Sequence, residues 1–160
     1  MSGQSIEHLI ANHWAEPLHA DDQEVLAFWR RAIESFEDSN VPRLSPTGQF
    51  KHLYDAARQG VVAFNAAHGY RAKGAAGHHQ HTFALGAALA PEKLKSAVAG
   101  MQVQRGVRHD LEYGAHRTVS EEEVGRVRDT VCRLLNGLAD VVRNLRPEIQ
   151  ESVRKLRCSE

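Results

Sequence analysis

Residues 120–147 read SEEEVGRVRDTVCRLLNGLADVVRNLRP, and this stretch decides the fold. Ser120 followed by Glu123 is a capping box, in which each side chain satisfies a backbone N–H that the first helical turn leaves open. Val124, Val127, Val131, Leu134, Leu135, Leu138, Val141, Val142 and Leu145 then return to one face at the 3.6-residue period. Pro147 lacks the N–H needed to continue. A helix this long with a single apolar stripe must bury it against other helices.

The same period recurs on the N-terminal side. A short helix is predicted over 5–13, then one over 22–38 with Val25, Leu26, Trp29, Ala32, Ile33 and Phe36 inward. Asp21 and Asp22 suit its start, as cap and as partners of the helix dipole. Ser45-Pro46 reads as N-cap plus first-turn proline, opening a helix that carries Phe50, Leu53, Tyr54, Ala57, Val61 and Phe64 and stops at His68-Gly69. Residues 70–77 read as a loop, 78–89 as a short helix, 91–113 as a longer one and 147–157 as a charged final turn. Strand-like alternation is nearly absent. The expectation is an all-α fold, an antiparallel up-and-down bundle of about five main helices. It divides as a lead-in (1–20), the bundle (21–146) and a charged C-terminal segment (147–160).

At 160 residues the chain is one domain of ordinary size. It can bury roughly 70% of its unfolded surface without help from a metal or disulfide. Lys plus Arg and Asp plus Glu number 20 each, so net charge is zero, which excludes a protein that coats nucleic acid by bulk charge. Cys132 falls in the long helix and Cys158 in the tail, a poor disulfide framework that reads as two free thiols. Residues 1–12 lack the pattern of a signal peptide, and no window is apolar enough to span a bilayer. The expected location is the cytoplasm, with no membrane partner.

The chain has no phosphate loop, GxGxxG, HExxH, paired CxxC or nucleophile elbow. Chemistry gathers in two places. The first is Gly69-Tyr-Arg-Ala-Lys-Gly-Ala-Ala-Gly-His-His-Gln-His81, where Arg71 and Lys73 can meet a phosphate and glycines permit close backbone approach. His78 and His79 open a helix, whose N-terminus favours an anion and a neutral imidazole, the form a general base needs. No carboxylate or cysteine nearby completes a metal set around His78, His79 and His81, so no metal or cofactor is expected. The second is Arg105-Gly-Val-Arg108-His-Asp-Leu-Glu-Tyr113. At helical spacing Arg105, Arg108 and Glu112 share a face, and His109, Asp110 and Tyr113 lie beside them. The bland alternative is an ordinary Arg108–Glu112 ion pair, a packing tyrosine, helix-capping histidines and solvated loop cations.

These two segments together resemble the bacterial HEPN-domain proteins. They are most similar to a small stand-alone subgroup with a Gly-Tyr-Arg … Gly-His-His turn and a later Arg-Asn-x-x-x-Tyr helix. Ser45-Pro-Thr-Gly-Gln-Phe-Lys-His-Leu-Tyr-Asp-Ala-Ala57 also fits, and the resemblance covers about residues 45–142. It implies a helical bundle that dimerises across the motif-bearing face. It also implies metal-independent endoribonuclease chemistry of the kind found in toxin–antitoxin and phage-defence systems, with an antitoxin or a nucleotidyltransferase as neighbouring partner. In that chemistry a histidine moves a proton while an arginine steadies the phosphate's developing charge.

The resemblance assigns catalysis to Arg108, Tyr113, His78 and His79, RNA phosphate contact to Arg71, Lys73 and Arg105, and support to His109, Asp110 and Glu112. The chain departs from the ribonuclease pattern at two positions. Tyr113 stands where active enzymes carry histidine, and His109 where asparagine is usual. A phenol ordinarily titrates near ~10 and is a poor base at neutral pH. Two readings stay open: His78 and His79 supply the missing imidazole, or the domain binds RNA, a nucleotide or a protein without cleaving.

Overall fold

Two N-terminal capping boxes and one serine cap set the starts of the main helices in the computed structural model, which describes residues 3–74, 78–156 and 158. Ala75, Ala76 and Gly77 of the expected loop, and Arg157 of the tail, lie outside these residues. The elements are α1 (Ile6–Ala11), β1 (Ala15–Pro17), α2 (Asp22–Asp38), α3 (Pro46–Ala67), β2 (Tyr70–Ala72), α4 (His78–Leu89), α5 (Glu92–Tyr113), α6 (Glu121–Leu145), a 3-10 turn (Pro147–Ile149) and α7 (Gln150–Lys155). In α2, Asp21 Oδ1 accepts from the Glu24 N–H and the Glu24 carboxylate accepts from the Asp21 N–H, each at 2.9 Å. Ser120 and Glu123 repeat the exchange at the start of α6. The fold is all-α, as the periodicity predicts.

The sequence predicts one apolar face for α3, but the structure buries it nearly all round. Small residues explain the difference: Ala56, Ala57, Gly60, Ala63, Ala66 and Ala67 let neighbours approach on every side. α3 is thus the central helix, packed against α2, α6, α4 and α5. Gly86 of α4 faces it so closely that an added Cβ would come within 2.5 Å of Val61 Cγ1.

Two arginines of the α6 end of the molecule hold the C-termini of its neighbours. Arg128 donates to the Ser39 hydroxyl at 2.7 Å and the Ser39 carbonyl at 3.2 Å, just past α2. Arg146 donates to the Ala66 and Ala67 carbonyls at 3.3 and 3.2 Å, closing α3, and to Asp22 Oδ1 at 2.8 Å. Carbonyls at a helix end have no partner within the helix, so a cation there is doubly favourable.

Two expectations are corrected. Part of the 70–77 loop is a strand: β2 pairs antiparallel with β1, Glu16 facing Arg71. Three residues are too few to show period-two alternation, and the cross-strand ion pair supplies what propensity does not. Cys132 and Cys158 are also not free thiols but a disulfide, with Cα atoms 5.8 Å apart. The tail folds back along α6, where the Trp29 indole N–H donates to the Leu156 carbonyl at 2.9 Å and brings Cys158 to Cys132. The pairing removes the free-thiol argument for a reducing compartment. Among the described residues no helix is long and apolar enough to cross a membrane.

Candidate functional site

The link between α4 and α5 is only Ala90-Pro91, so the two helices run back antiparallel and the start of α4 lies beside the latter half of α5. Gln102 Nε2 donates to the Gln80 carbonyl at 2.9 Å across this pairing. The histidine turn and the arginine–tyrosine motif, separated in sequence by an entire hairpin, therefore meet. Between them and α3 opens a cleft of about 340 Å³.

The α4 wall of the cleft is His78, His79 and Gln80, and the α5 wall is Arg105, Arg108, His109, Glu112 and Tyr113. Its base is Tyr54 of α3, which is fully buried. The Tyr54 hydroxyl is hydrogen-bonded to His79 Nδ1 at 3.2 Å, and the Arg108 guanidinium lies 5.4 Å from the centroid of the same ring. One phenol thus orients both an imidazole and a guanidinium. Arg108 also donates to Glu112 Oε2 at 3.1 Å, while its Nε is buried without a partner. Arg105 Nε donates to Gln102 Oε1 at 3.0 Å. The Tyr113 ring leans on His109, centroids 4.9 Å apart, and is 75% exposed at the cleft mouth.

Burial and positive charge act in one direction on the histidines. His79 is pushed down to about 4, first by burial and then by the Arg58 and Arg108 charges. His78 is lowered by burial, Arg58 and His81. Tyr54 is pushed up to about 12 by burial, against the opposing pull of Arg108, Arg58 and Arg105. At neutral pH His78 and His79 are therefore neutral and Tyr54 is protonated, with the Arg105 and Arg108 guanidinium groups as the positive charge of the cleft.

Arg71 and Lys73 are not in this cleft. Both reach back to Glu16 on β1, Lys73 Nζ at 3.0 Å from Oε2, while Arg71 Nε and an Arg71 terminal nitrogen both donate to Oε1. These hydrogen bonds hold the Glu16 carboxyl below its usual range. Arg71 faces the neighbouring cavity instead. Asp110 is exposed on α5 and does not line the cleft. His81 turns away as well, stacked on Trp14 at 4.9 Å with its Nδ1 donating to the Lys73 carbonyl at 2.8 Å.

Two residues of the site escape sequence reasoning. Tyr54 reads as a core position of α3, and its ring does pack edge-on against Phe83 at 5.9 Å. Arg58, one turn further along α3, has a buried, unpartnered Nε and sits 3.7 Å from Asp55. The available signal was the spacing itself: a phenol and a guanidinium four apart on one helix.

No family model, no curated protein and no solved structure matches the chain.

Proposed function

We propose that the chain is a HEPN-like, RNA-directed protein whose cleft holds a phosphodiester, and that it cleaves RNA without a metal. The observation that carries this reading is the sharing of Tyr54 by His79 and Arg108, which sets a neutral imidazole beside a guanidinium with Arg105 alongside. Arg105 and Arg108 bind the phosphate oxygens. With Nδ1 held by Tyr54, His79 presents Nε2 to the substrate and accepts the proton of a ribose 2′-hydroxyl. The 2′-oxygen bonds to phosphorus, the bond to the 5′-oxygen breaks, and the departing oxygen takes a proton from the Tyr113 phenol. The products are a 2′,3′-cyclic phosphate and a free 5′-hydroxyl. Arg108 stabilises the negative charge that grows on the equatorial oxygens. A cytoplasmic location and an antitoxin as restraining partner belong to this reading, and the Cys132–Cys158 disulfide weighs against the first.

A second reading, binding without cleavage, is favoured by one observation. An imidazole held at about 4, first by burial and then by the Arg58 and Arg108 charges, is a weak base for a ribose hydroxyl. Purified protein incubated with single-stranded RNA in a chelator decides between them. The proposal expects fragments ending in cyclic phosphate that disappear in Arg108→Ala and in His79→Ala. Tight binding with intact RNA leaves the second reading. Neither binding nor cleavage sinks both.

A further inference from the structure

A second cavity, of about 400 Å³, lies on the other side of His78 from the cleft just described. Its volume is in the range of ordinary small-molecule sites. Phe28 of α2 and Tyr70 of β2 contribute aromatic walls, and Val62 and Ala66 of α3 an apolar floor. Phe28 is half-buried, and the Arg31 guanidinium lies 5.6 Å from its ring centroid, so a flat group entering here meets both an aromatic face and a cation. Arg58 lines this cavity while its charge acts on both His78 and His79. Its Nε is buried with no hydrogen-bond partner.

The two cavities are therefore continuous in chemistry through one imidazole and one guanidinium. A ligand that fills both sets an anion against Arg105 and Arg108 and, in the second cavity, meets the Phe28 and Tyr70 rings together with hydrogen-bonding groups, among them the buried, unpartnered Asn65 Oδ1. We propose that the second cavity is a nucleobase subsite, seating the base of a nucleotide next to the phosphodiester held by Arg105 and Arg108. The proposal rests on the phosphodiester reading of the first cleft. Stacking against Phe28 and Tyr70 makes the subsite tolerant of sequence, because every base has a π-face.

The test compares two single-stranded probes of equal length and charge by fluorescence anisotropy. One is a 2′-O-methyl hexanucleotide, which cannot be cleaved by 2′-oxygen attack. The other is the same backbone with every position abasic. The expected result is that the base-bearing probe binds about tenfold tighter or more, the scale of one good stacking contact. Val62→Trp, which fills the cavity, should erase that difference while leaving the abasic probe unchanged. Should Val62→Trp fail to fold by circular dichroism, Phe28→Ala, which removes one stacking wall, is read in its place with the same expectation. Equal affinity for the two probes, or a difference that survives the variant, overturns the subsite while leaving the phosphate cleft standing. Binding of neither probe overturns the phosphate cleft and the subsite together.

Discussion

The Tyr54 hydroxyl is 3.2 Å from His79 Nδ1, which joins the central helix of the bundle to the first turn of α4 at the floor of the cleft. The hydrogen bond holds Nδ1 and leaves Nε2 as the free nitrogen of the ring. Tyr54→Phe keeps the ring under Arg108 and removes only the hydroxyl. RNA cleavage is expected to fall about tenfold, the worth of one well-placed hydrogen bond, with affinity for RNA unchanged. Tyr54→Leu should lower both. Single-turnover rates and binding isotherms on the same substrate separate the two effects.

His79 also gives the fold an acid sensitivity with a defined sign. Its folded-state value is lowered, so between about pH 6.5 and about 4 the unfolded chain takes up a proton that the folded chain refuses. Stability contributed by the neutral ring is present in full above that window and is lost as pH falls through it. Urea unfolding at pH 7 and pH 4.5 should show His79→Gln losing less stability on acidification than the parent. An equal loss in both would remove His79 as the cause.

If Arg105 and Arg108 each neutralise one phosphate, each leaves a mark in the salt dependence. For a single strand the slope of log affinity against log salt should decrease by about 0.7 per arginine removed. Arg105→Gln and Arg108→Gln, titrated over a range of potassium chloride, give the measurement. Arg71→Gln should leave the slope as it is, because Arg71 is committed to Glu16 across the β1–β2 ribbon.

Arg146 is the test of the architecture apart from function. Its removal takes the donor from the Ala67 carbonyl and from Asp22, and one of two donors from the Ala66 carbonyl, which keeps the Gly69 N–H at 3.0 Å. Arg146→Met, which keeps the aliphatic stem, should cost about 2–3 kcal/mol in denaturant unfolding. An exposed ion pair such as Arg126–Glu122 should give under about 1 kcal/mol by the same measurement.

The Cys132–Cys158 bond closes a loop with a sequence separation of 26. By the chain-entropy account, reduction should lower stability by about 3.5 kcal/mol. Unfolding with and without a thiol reductant measures this. Intact-mass comparison before and after alkylation establishes that the bond is present at the start.

What was legible in the sequence and what was not divide along physical lines. α2, α3 and α6 each persist for several turns, so their apolar period and their caps state where they begin, while α5 is marked by its length and by Pro91 alone. Gly69 marks the end of α3 as expected, adopting φ of +89°, which a side chain would resist. That the His78-His79 turn and the Arg108–Tyr113 motif line one cleft is not legible in the sequence, because spacing along the chain does not say how α4 and α5 pack. Nor is the role of Tyr54, since a buried phenol looks the same in sequence whether its hydroxyl is used or merely tolerated. Arg71 misled for a different reason. Cations among glycines suggest a phosphate loop, and the carboxylate that claims them, Glu16, is 55 residues away. The disulfide was hidden likewise, because only the return of the tail over Trp29 brings its two cysteines together.

That return alters how the molecule bears load. A pull applied beyond Cys158 travels through the sulfur bridge directly into the middle of α6. The intervening 3-10 turn and α7 lie off the force path, so in an oxidised chain they cannot be peeled away first. Reduction would make them the first elements to give, converting one abrupt mechanical rupture into a yielding that starts at the tail.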